Sequence, residues 1–485
     1  MRPLLRSFEK LMKPIFVLPA LALSCLAQPL DLASRRELFV DRYLIDRMEG
    51  TELRLQTPLE RGEAFAFDRP HEGAFCGYAS IVSLPGGGFR AYYRALPTAG
   101  EDGSSREMTA YAESADGIRW TKPADNVVLR NAAPATHNFS VFLDARTGVP
   151  ADEKWKAIGG TQKTGLVRFV STDGIAWRKL MGDTPMLPPV KEYRYDSQNL
   201  VFWSETEGKY LCYFRNFKEV PGKGRVRWIS RASSPDFRSW VEDGEMSFRA
   251  ADGGVAPPEH LYTNQTSPYM RAPHISISIA ARFLPGRQVL TDEEARATQV
   301  DPSYYKDISD NVLLSTRGGT VYDRTFMEGF VRPGLGLENW TSRTNYPALN
   351  LIQTGPAEMS FFVQRGYGQP GHHLARYSLR LDGFAALHAG YAGGEMISKP
   401  FRFKGSELEI NFATSAAGSV RIELQDEMGR ALPGYSLQDS REIIGDQIAR
   451  TVAWKKGTGV ADLAGKTVRL RVSMKDADLF SLRFR

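Results

Sequence analysis

Short apolar runs with polar entries recur along this chain. The clearest is Tyr193–Trp203, where Asp196, Ser197, Gln198 and Asn199 lead directly into Leu200, Val201, Phe202 and Trp203. A β-rich apolar run of this length reads as a short buried strand. Small polar side chains need hydrogen-bond partners once buried, so this entry is either a turn or the polar wall of a site. No segment carries a long apolar pattern of helical period, which sets a helical repeat aside.

A degenerate repeat gives these strands an order. Ser114-Ala-Asp116-Gly-Ile-Arg-Trp120, Ser171-Thr-Asp173-Gly-Ile-Ala-Trp177 and Ser234-Pro-Asp236-Phe-Arg-Ser-Trp240 share the form Ser-x-Asp-x-x-x-Trp. Weaker copies begin at Ser315 and at Arg380-Leu-Asp382-Gly-Phe384. Asp-Gly favours a tight turn because glycine accepts positive φ and the Asp side chain bonds the backbone that follows. The Trp then packs between neighbouring sheets. Strands such as Met108–Glu113, Leu166–Val170 and Val226–Ala232 precede each turn, and others precede those. Four strands repeated radially at a period of about 60 residues are the blades of a β-propeller.

Five blades are predicted over residues 36–390. Their innermost strands start near Glu72, His137, Asp196, Thr263 and Glu358. The early strand Glu37–Ile45 is expected to pair into the last blade and close the ring, which would remove the sheet edge. Past Gly390–Gly394 no blade motif recurs, and residues 395–485 read as a β-sandwich. The acidic loop with Asp439, Glu442 and Asp446 reads as solvated, with calcium binding the lesser alternative. The predicted fold is therefore all-β.

Charge and composition narrow the function. The 485 residues are 24% charged and 42% hydrophobic, with a formal net charge of +6. Half of that charge belongs to the first 27 residues, where Arg2, Arg6, Lys10 and Lys13 face Glu9. The remainder is too weakly basic for nucleic-acid binding. Basic residues ahead of Ile15–Ala27 read as an export signal spanning residues 1–27, so a secreted or periplasmic bacterial protein is expected. Lipid attachment at Cys25 is the lesser alternative, and no other stretch is long and apolar enough to span a membrane. Cys76 and Cys212 lie in strand-like runs and read as buried thiols, with a disulfide open to them in an oxidising compartment. The sequence has no zinc-type Cys/His cluster, and neither a metal nor a cofactor is expected. Oligomeric state leaves no signature.

Carboxylates at the blade entries carry the candidate chemistry. Glycoside hydrolysis needs one protonated carboxyl at the leaving oxygen and one ionised carboxylate, and a neighbouring acid tunes the pair. The candidates are Glu72, Asp196, Glu328 and Glu358, with Asp68 competing with Glu72 and Glu259 with Glu328. His71, His137, Asn138, Gln198, His260, Asn264 and Arg332 stand where they would meet sugar hydroxyls. Arg343, with Asn345, would reach an anionic or hydroxyl-rich substrate. A propeller with axial acids followed by a sandwich resembles the glycoside hydrolases of families 32, 43, 117 and 130. Asp68-Arg-Pro-His-Glu72-Gly, Tyr195-Asp-Ser-Gln-Asn199, Pro258-Glu-His-Leu-Tyr-Thr-Asn264 and Phe326-Met-Glu-Gly-Phe-Val-Arg-Pro-Gly334 are similar to motifs of exported proteins from polysaccharide-degrading aquatic bacteria. By position, the family 43 resemblance implies Glu72 as base, Asp196 as modulator and Glu328 as acid. The family 32 signatures Trp-x-Asn-Asp-Pro-Asn-Gly and Arg-Asp-Pro are missing, so fructosidase specificity is not implied.

Three functions follow as expectations. The leading one is a hydrolase of plant or algal oligo- and polysaccharides. The second is a propeller that binds carbohydrate without cleaving it. The third is a sialidase-like hydrolase, ranked last because sialidases use six blades and an arginine triad that the sequence does not assemble.

Overall fold

The computed structural model describes residues 28–485, so the expected export signal lies outside the described residues. Five antiparallel-cored sheets follow one another along the chain as propeller blades. Blade one runs from Gly77–Ser83 through Phe89–Ala95 and Met108–Ser114 to Val127–Leu129. Blade two runs from Ser140–Leu143 to Arg178–Asp183, and blade three from Leu200–Ser204 to Val241–Glu245. Blade four is larger. Its long strands Ala272–Leu284 and Ile308–Thr316 are flanked by Thr266–Tyr269 and His260–Thr263 on one side and by Val321–Arg324 and Ser247–Ala250 on the other.

The repeated Ser-x-Asp unit forms the turn between the third and fourth strands of blades one to three. In each copy the Asp carboxylate accepts two backbone N–H groups: Ile118 and Arg119 for Asp116, Ile175 and Ala176 for Asp173, Arg238 and Ser239 for Asp236. Gly174 shows why glycine follows Asp173. Its φ is 76°, and a Cβ there would stand 2.5 Å from the Tyr92 hydroxyl of blade one. The Trp of each unit packs toward a neighbouring blade: Trp120 meets Phe362 of blade five edge-on at 5.5 Å, Trp177 meets Tyr92 of blade one at 6.4 Å, and Trp240 packs on the cluster that holds Phe142 of blade two.

Ring closure differs from the sequence expectation. The strand that completes blade five is Leu59–Ala66, paired with His373–Arg380. The predicted closer contributes Arg36–Leu38 to Arg469–Phe484 instead. The reason is burial. An outermost blade strand faces solvent, which suits the exposed Glu60, Arg61 and Glu63, whereas Leu38, Phe39 and Val40 demand enclosure. Blade five is also shifted in register. Its innermost strand ends at Ile352–Gln353, so Glu358–Arg365 is the second strand and Glu358 lies at the opposite end from the other blade entries.

The C-terminal region forms an eight-stranded sheet centred on Arg469–Phe484 and Leu408–Gln425. It recruits Ile45–Glu49, Thr51–Leu55 and Ala385–Ala389, and encloses Ile410, Phe412, Ile422, Trp454 and Leu479. Its loop acids do not converge: Asp446 is held by Arg380, Asp439 by Ser436, and Glu442 stands 3.8 Å from Arg421. Asp382, from the last repeat copy, fastens this sheet to the propeller. Its buried carboxylate accepts from Tyr269 at 2.8 Å, Ser481 at 2.6 Å and Asn411 at 3.1 Å, with Arg36 and Arg271 at 3.4 and 3.3 Å.

Candidate active site at the propeller axis

Backbone strain marks one end of the axis. Tyr78, Tyr195, Gln265, Arg343 and Asn345 are non-glycine residues with φ between 45° and 78°, and they stand at the innermost-strand entries of blades one, three, four and five. Such conformations persist only where the surroundings hold them, and they gather at functional sites. Two β-bulges add to the pattern. The register of blade one slips between Gly77 and Ser80, and that of blade four between Leu261 and Thr263, which re-aims Tyr78 and Tyr262.

Asp196 is the carboxylate that His137 and Arg215 share at this end. Its two oxygens lie 3.0 Å from His137 Nε2 and 2.9 Å from Arg215 Nη2. Burial favours the neutral acid, but the His137 hydrogen bond and the Arg215 charge outweigh it and hold the carboxyl well below its usual range. His137 ends the short 3₁₀ turn Ala135–His137 ahead of blade two, and its Nδ1 lies 3.1 Å from the buried Glu107. Burial lowers the imidazole pKa, yet hydrogen bonds to Asp196 and Glu107 raise it to about 9. Around this pair lies a pocket of about 280 Å3 whose lining includes Asp102, Thr161, Lys163, Tyr193 and Asp196.

Arginines and tyrosines fill the rest of the axis. Arg94 Nη1 is 3.0 Å from Asp102 and 3.6 Å from Glu107, and its guanidinium covers the Tyr78 ring at 4.8 Å. Asp102, Glu107 and His137 have the spacing of a metal trio, but Arg94 already supplies the cation there. Tyr262 sits among Arg227, Arg215 and Arg343, whose guanidiniums are 5.0, 5.1 and 5.8 Å from its ring centroid. Burial raises the Tyr262 pKa, but Arg343 and then Arg215 outweigh it and lower it below the ordinary phenol value. Tyr78 shifts the other way, raised by burial and by Tyr262. Both rings are buried, neither hydroxyl has a hydrogen-bond partner among the described residues, and neither oxygen is sealed from solvent.

Three of the sequence candidates meet here: Asp196, His137 and Arg343. The others stand elsewhere. Glu72 is enclosed in blade one, bonded to Tyr93 at 2.6 Å, Lys122 at 2.5 Å and Asn126 at 3.1 Å. Asp68 meets the same Lys122 at 2.7 Å. Glu328 and Arg332 are exposed in the groove between blades four and five, beside Glu60. Glu259 is locked by Arg282 and Arg324. Glu358 pairs with Arg376 at 2.9 Å at the far end of blade five. Asn138 donates to Gly160, Tyr195 and Ser197, and Gln198 to Ala79 and Ser80, so both tie blades together. The Asn264 side chain accepts from the Thr266 backbone, His260 accepts from the Arg227 backbone at 3.3 Å, and His71 stays in the loop ahead of Glu72. Cys76 and Cys212 are free and buried in separate cores.

Arg94, Arg215, Tyr78 and Tyr262 escaped the sequence reading. A signal for the arginines was present. The second strands of blades one, three, four and five each carry an arginine at or near their axial end: Arg94, Arg215, Arg282 and Arg365.

No family model matches the chain, and neither does any curated protein. Among solved structures, it is similar to a glycoside hydrolase at 12% identity and a TM-score of 0.45, covering 67% of this chain and 92% of that one. It is similar to the β-1,2-mannobiose phosphorylase of Listeria innocua at 12% identity and TM-score 0.40, covering 68% and 97%. A fructofuranosidase of Schwanniomyces occidentalis follows at 12% identity and TM-score 0.39, covering 87% and 96%. At these values the likenesses bear on neither activity nor substrate, and the five blades rest on the strand pairing.

Proposed function

We propose that this protein is an exported enzyme that cleaves glycosidic bonds of plant or algal oligosaccharides at the axial pocket. One observation carries the reading: Asp196, an ionised carboxylate at a pocket edge, stands with two tyrosine hydroxyls that no protein group engages. Glycoside cleavage builds positive charge at the anomeric carbon and needs a proton at the leaving oxygen. Asp196, fixed by His137 and Arg215, stabilises that charge. Tyr78 and Tyr262 carry the two free hydroxyls that can serve as acid and base, and Arg343 and Arg215 favour the ionised form of Tyr262. In this assignment the anomeric C–O bond breaks with its electrons going to the leaving oxygen, which takes the Tyr78 proton. Water adds to the anomeric carbon and gives its proton to the phenolate form of Tyr262, which Arg343 and Arg215 favour. The basic, apolar N-terminal segment supports export.

A second reading is favoured by the charge pairing. Asp196, Asp102 and Glu107 all face cations, which suits a propeller that binds sugar without cleaving it. Reducing-end release from a polysaccharide panel separates the two. Cleavage by the wild type that is lost in Tyr262→Phe supports the enzyme, and glycan binding with no released product supports the binder.

A further inference from the structure

Arg343 is a half-buried arginine without a carboxylate. Among the described residues its guanidinium donates hydrogen bonds only to the Tyr304 and Tyr367 hydroxyls, each at 3.4 Å, and no acid lies within salt-bridge distance. Arg227, whose guanidinium is 5.0 Å from the Tyr262 ring centroid, also has no carboxylate partner among the described residues, and its Nε is buried without any partner. A desolvated cation left unpaired is costly, and arginine's planar fork matches carboxylate and sulfate oxygens.

The surroundings point the same way. Arg94, Arg215, Arg227, Arg343 and His137 are five cationic groups in contact with Tyr78, Tyr262 or Asp196, and the carboxylates joined to them are three, Asp196, Asp102 and Glu107. The excess is two positive charges, and it falls around Tyr262. Arg343 is also held firmly. It carries a φ of 60°, Gln364 Nε2 donates to its carbonyl at 2.7 Å, and Asn345 donates to Ser309 at 3.0 Å. A strained, over-determined backbone that presents an unpaired guanidinium is a built recognition element rather than a surface charge. Tyr304 closes over it. The insertion that carries Tyr304 packs on blades one and five through Phe75 and Tyr367, with ring centroids 5.7 and 5.2 Å apart, and the Arg343 guanidinium is 4.8 Å from the Tyr304 ring.

We infer that the axial site recognises an acidic sugar, whose carboxylate or sulfate is held by Arg343 and Arg227 beside Tyr262. This rests on the sugar-binding part of the function proposed above and names its substrate class. The bound anion offsets one of the two surplus charges, and the pyranose ring that carries it places its hydroxyls toward Tyr78 and Asp196.

Calorimetry on the full chain tests this with two pairs of probes. One pair is uronate-containing oligosaccharides and their carboxyl-reduced counterparts. The other is sulfated galactan oligosaccharides and their desulfated counterparts. One acidic probe is expected to bind about tenfold or more tightly than its neutralised form, with an advantage that shrinks as salt rises. Which pair shows the advantage identifies carboxylate or sulfate. Arg343→Met is expected to lower the affinity of the acidic probe to that of its neutralised form, erasing the preference. Its melting temperature is expected to be no lower, because the change removes an uncompensated cation. Arg227→Met reports independently by the same readout. Equal binding of charged and neutralised probes, no binding of either acidic probe, or a preference that survives in both variants overturns the inference. A charge preference without bond cleavage sinks the enzymatic reading and leaves this one standing; cleavage without charge preference does the reverse.

Discussion

The charged state of His137 is open to direct measurement. Its imidazole lies between Asp196 at 3.0 Å and Glu107 at 3.1 Å, with Asp102 at 3.7 Å, and Arg94 and the Tyr78 ring pack against it. The carboxylates prevail over burial and over Arg94, so the pKa rises from 6.5 to about 9. A raised folded-state pKa stabilises the fold fully below the unfolded value, and that contribution is lost as pH climbs through the folded value. The window is therefore 6.5 to about 9. That interval is worth about 3 kcal/mol, and the depressed Asp196 pKa describes the same ion pair, so it is counted once. The assay is NMR titration of the imidazole Cε1–H resonances, with His137 identified by its loss in His137→Gln. The resonance is expected to titrate near 9, and the urea midpoint of the wild type to fall toward that of the variant over the same window. A His137 midpoint at or below 6.5, or parallel stability curves for the two proteins, refutes the carboxylate clamp.

Other outcomes follow from the placement of the acids and turns. Glu72→Gln, which weakens a buried network with Lys122 and Tyr93, is expected to cost about 2–4 kcal/mol in chemical denaturation and to leave turnover per folded molecule unchanged. Glu328→Gln and Glu358→Gln, both away from the axial pocket, are expected to keep release rates within about twofold of wild type. Gly174→Ala meets the Tyr92 hydroxyl and a positive φ, and is expected to lower stability by about 2 kcal/mol or more in thermal melts. Asp382→Asn weakens the hold on Arg36 and Arg271 at the junction of propeller and C-terminal sheet. It is expected to lower the melting temperature by about 4 °C or more, and to increase proteolysis near residue 390.

The blades were legible because their turns repeat a local chemistry. Ser114, Asp116 and Gly117 hydrogen-bond within their own turn, so the signal sits in adjacent residues. Ring closure was not legible, because Leu59–Ala66 is a solvent-facing edge strand whose glutamates hide it, and the apolar Glu37–Ile45 reads more strongly as a strand although its pairing belongs to the C-terminal sheet. Asp196 and His137 were found because each precedes an innermost strand directly. Glu72 and Glu328 misled because an acid near glycine or arginine reads alike whether it lines a pocket or closes an ion pair. Arg94 and Arg215 were hidden inside apolar strands, beside Tyr93 and Phe214, where only the blade-to-blade recurrence of a terminal arginine marks them. Tyr78 and Tyr262 owe their positions to bulges, which no local pattern announces.

The most direct test of the account is the rate of glycosidic-bond cleavage by Asp196→Asn, measured against the wild type on any glycan that the wild type cleaves. Loss of the one carboxylate that both edges the axial pocket and is held ionised by His137 and Arg215 is predicted to lower kcat/KM by roughly two to four orders of magnitude, with the circular dichroism spectrum unchanged. A folded Asp196→Asn enzyme that retains the wild-type rate would contradict it.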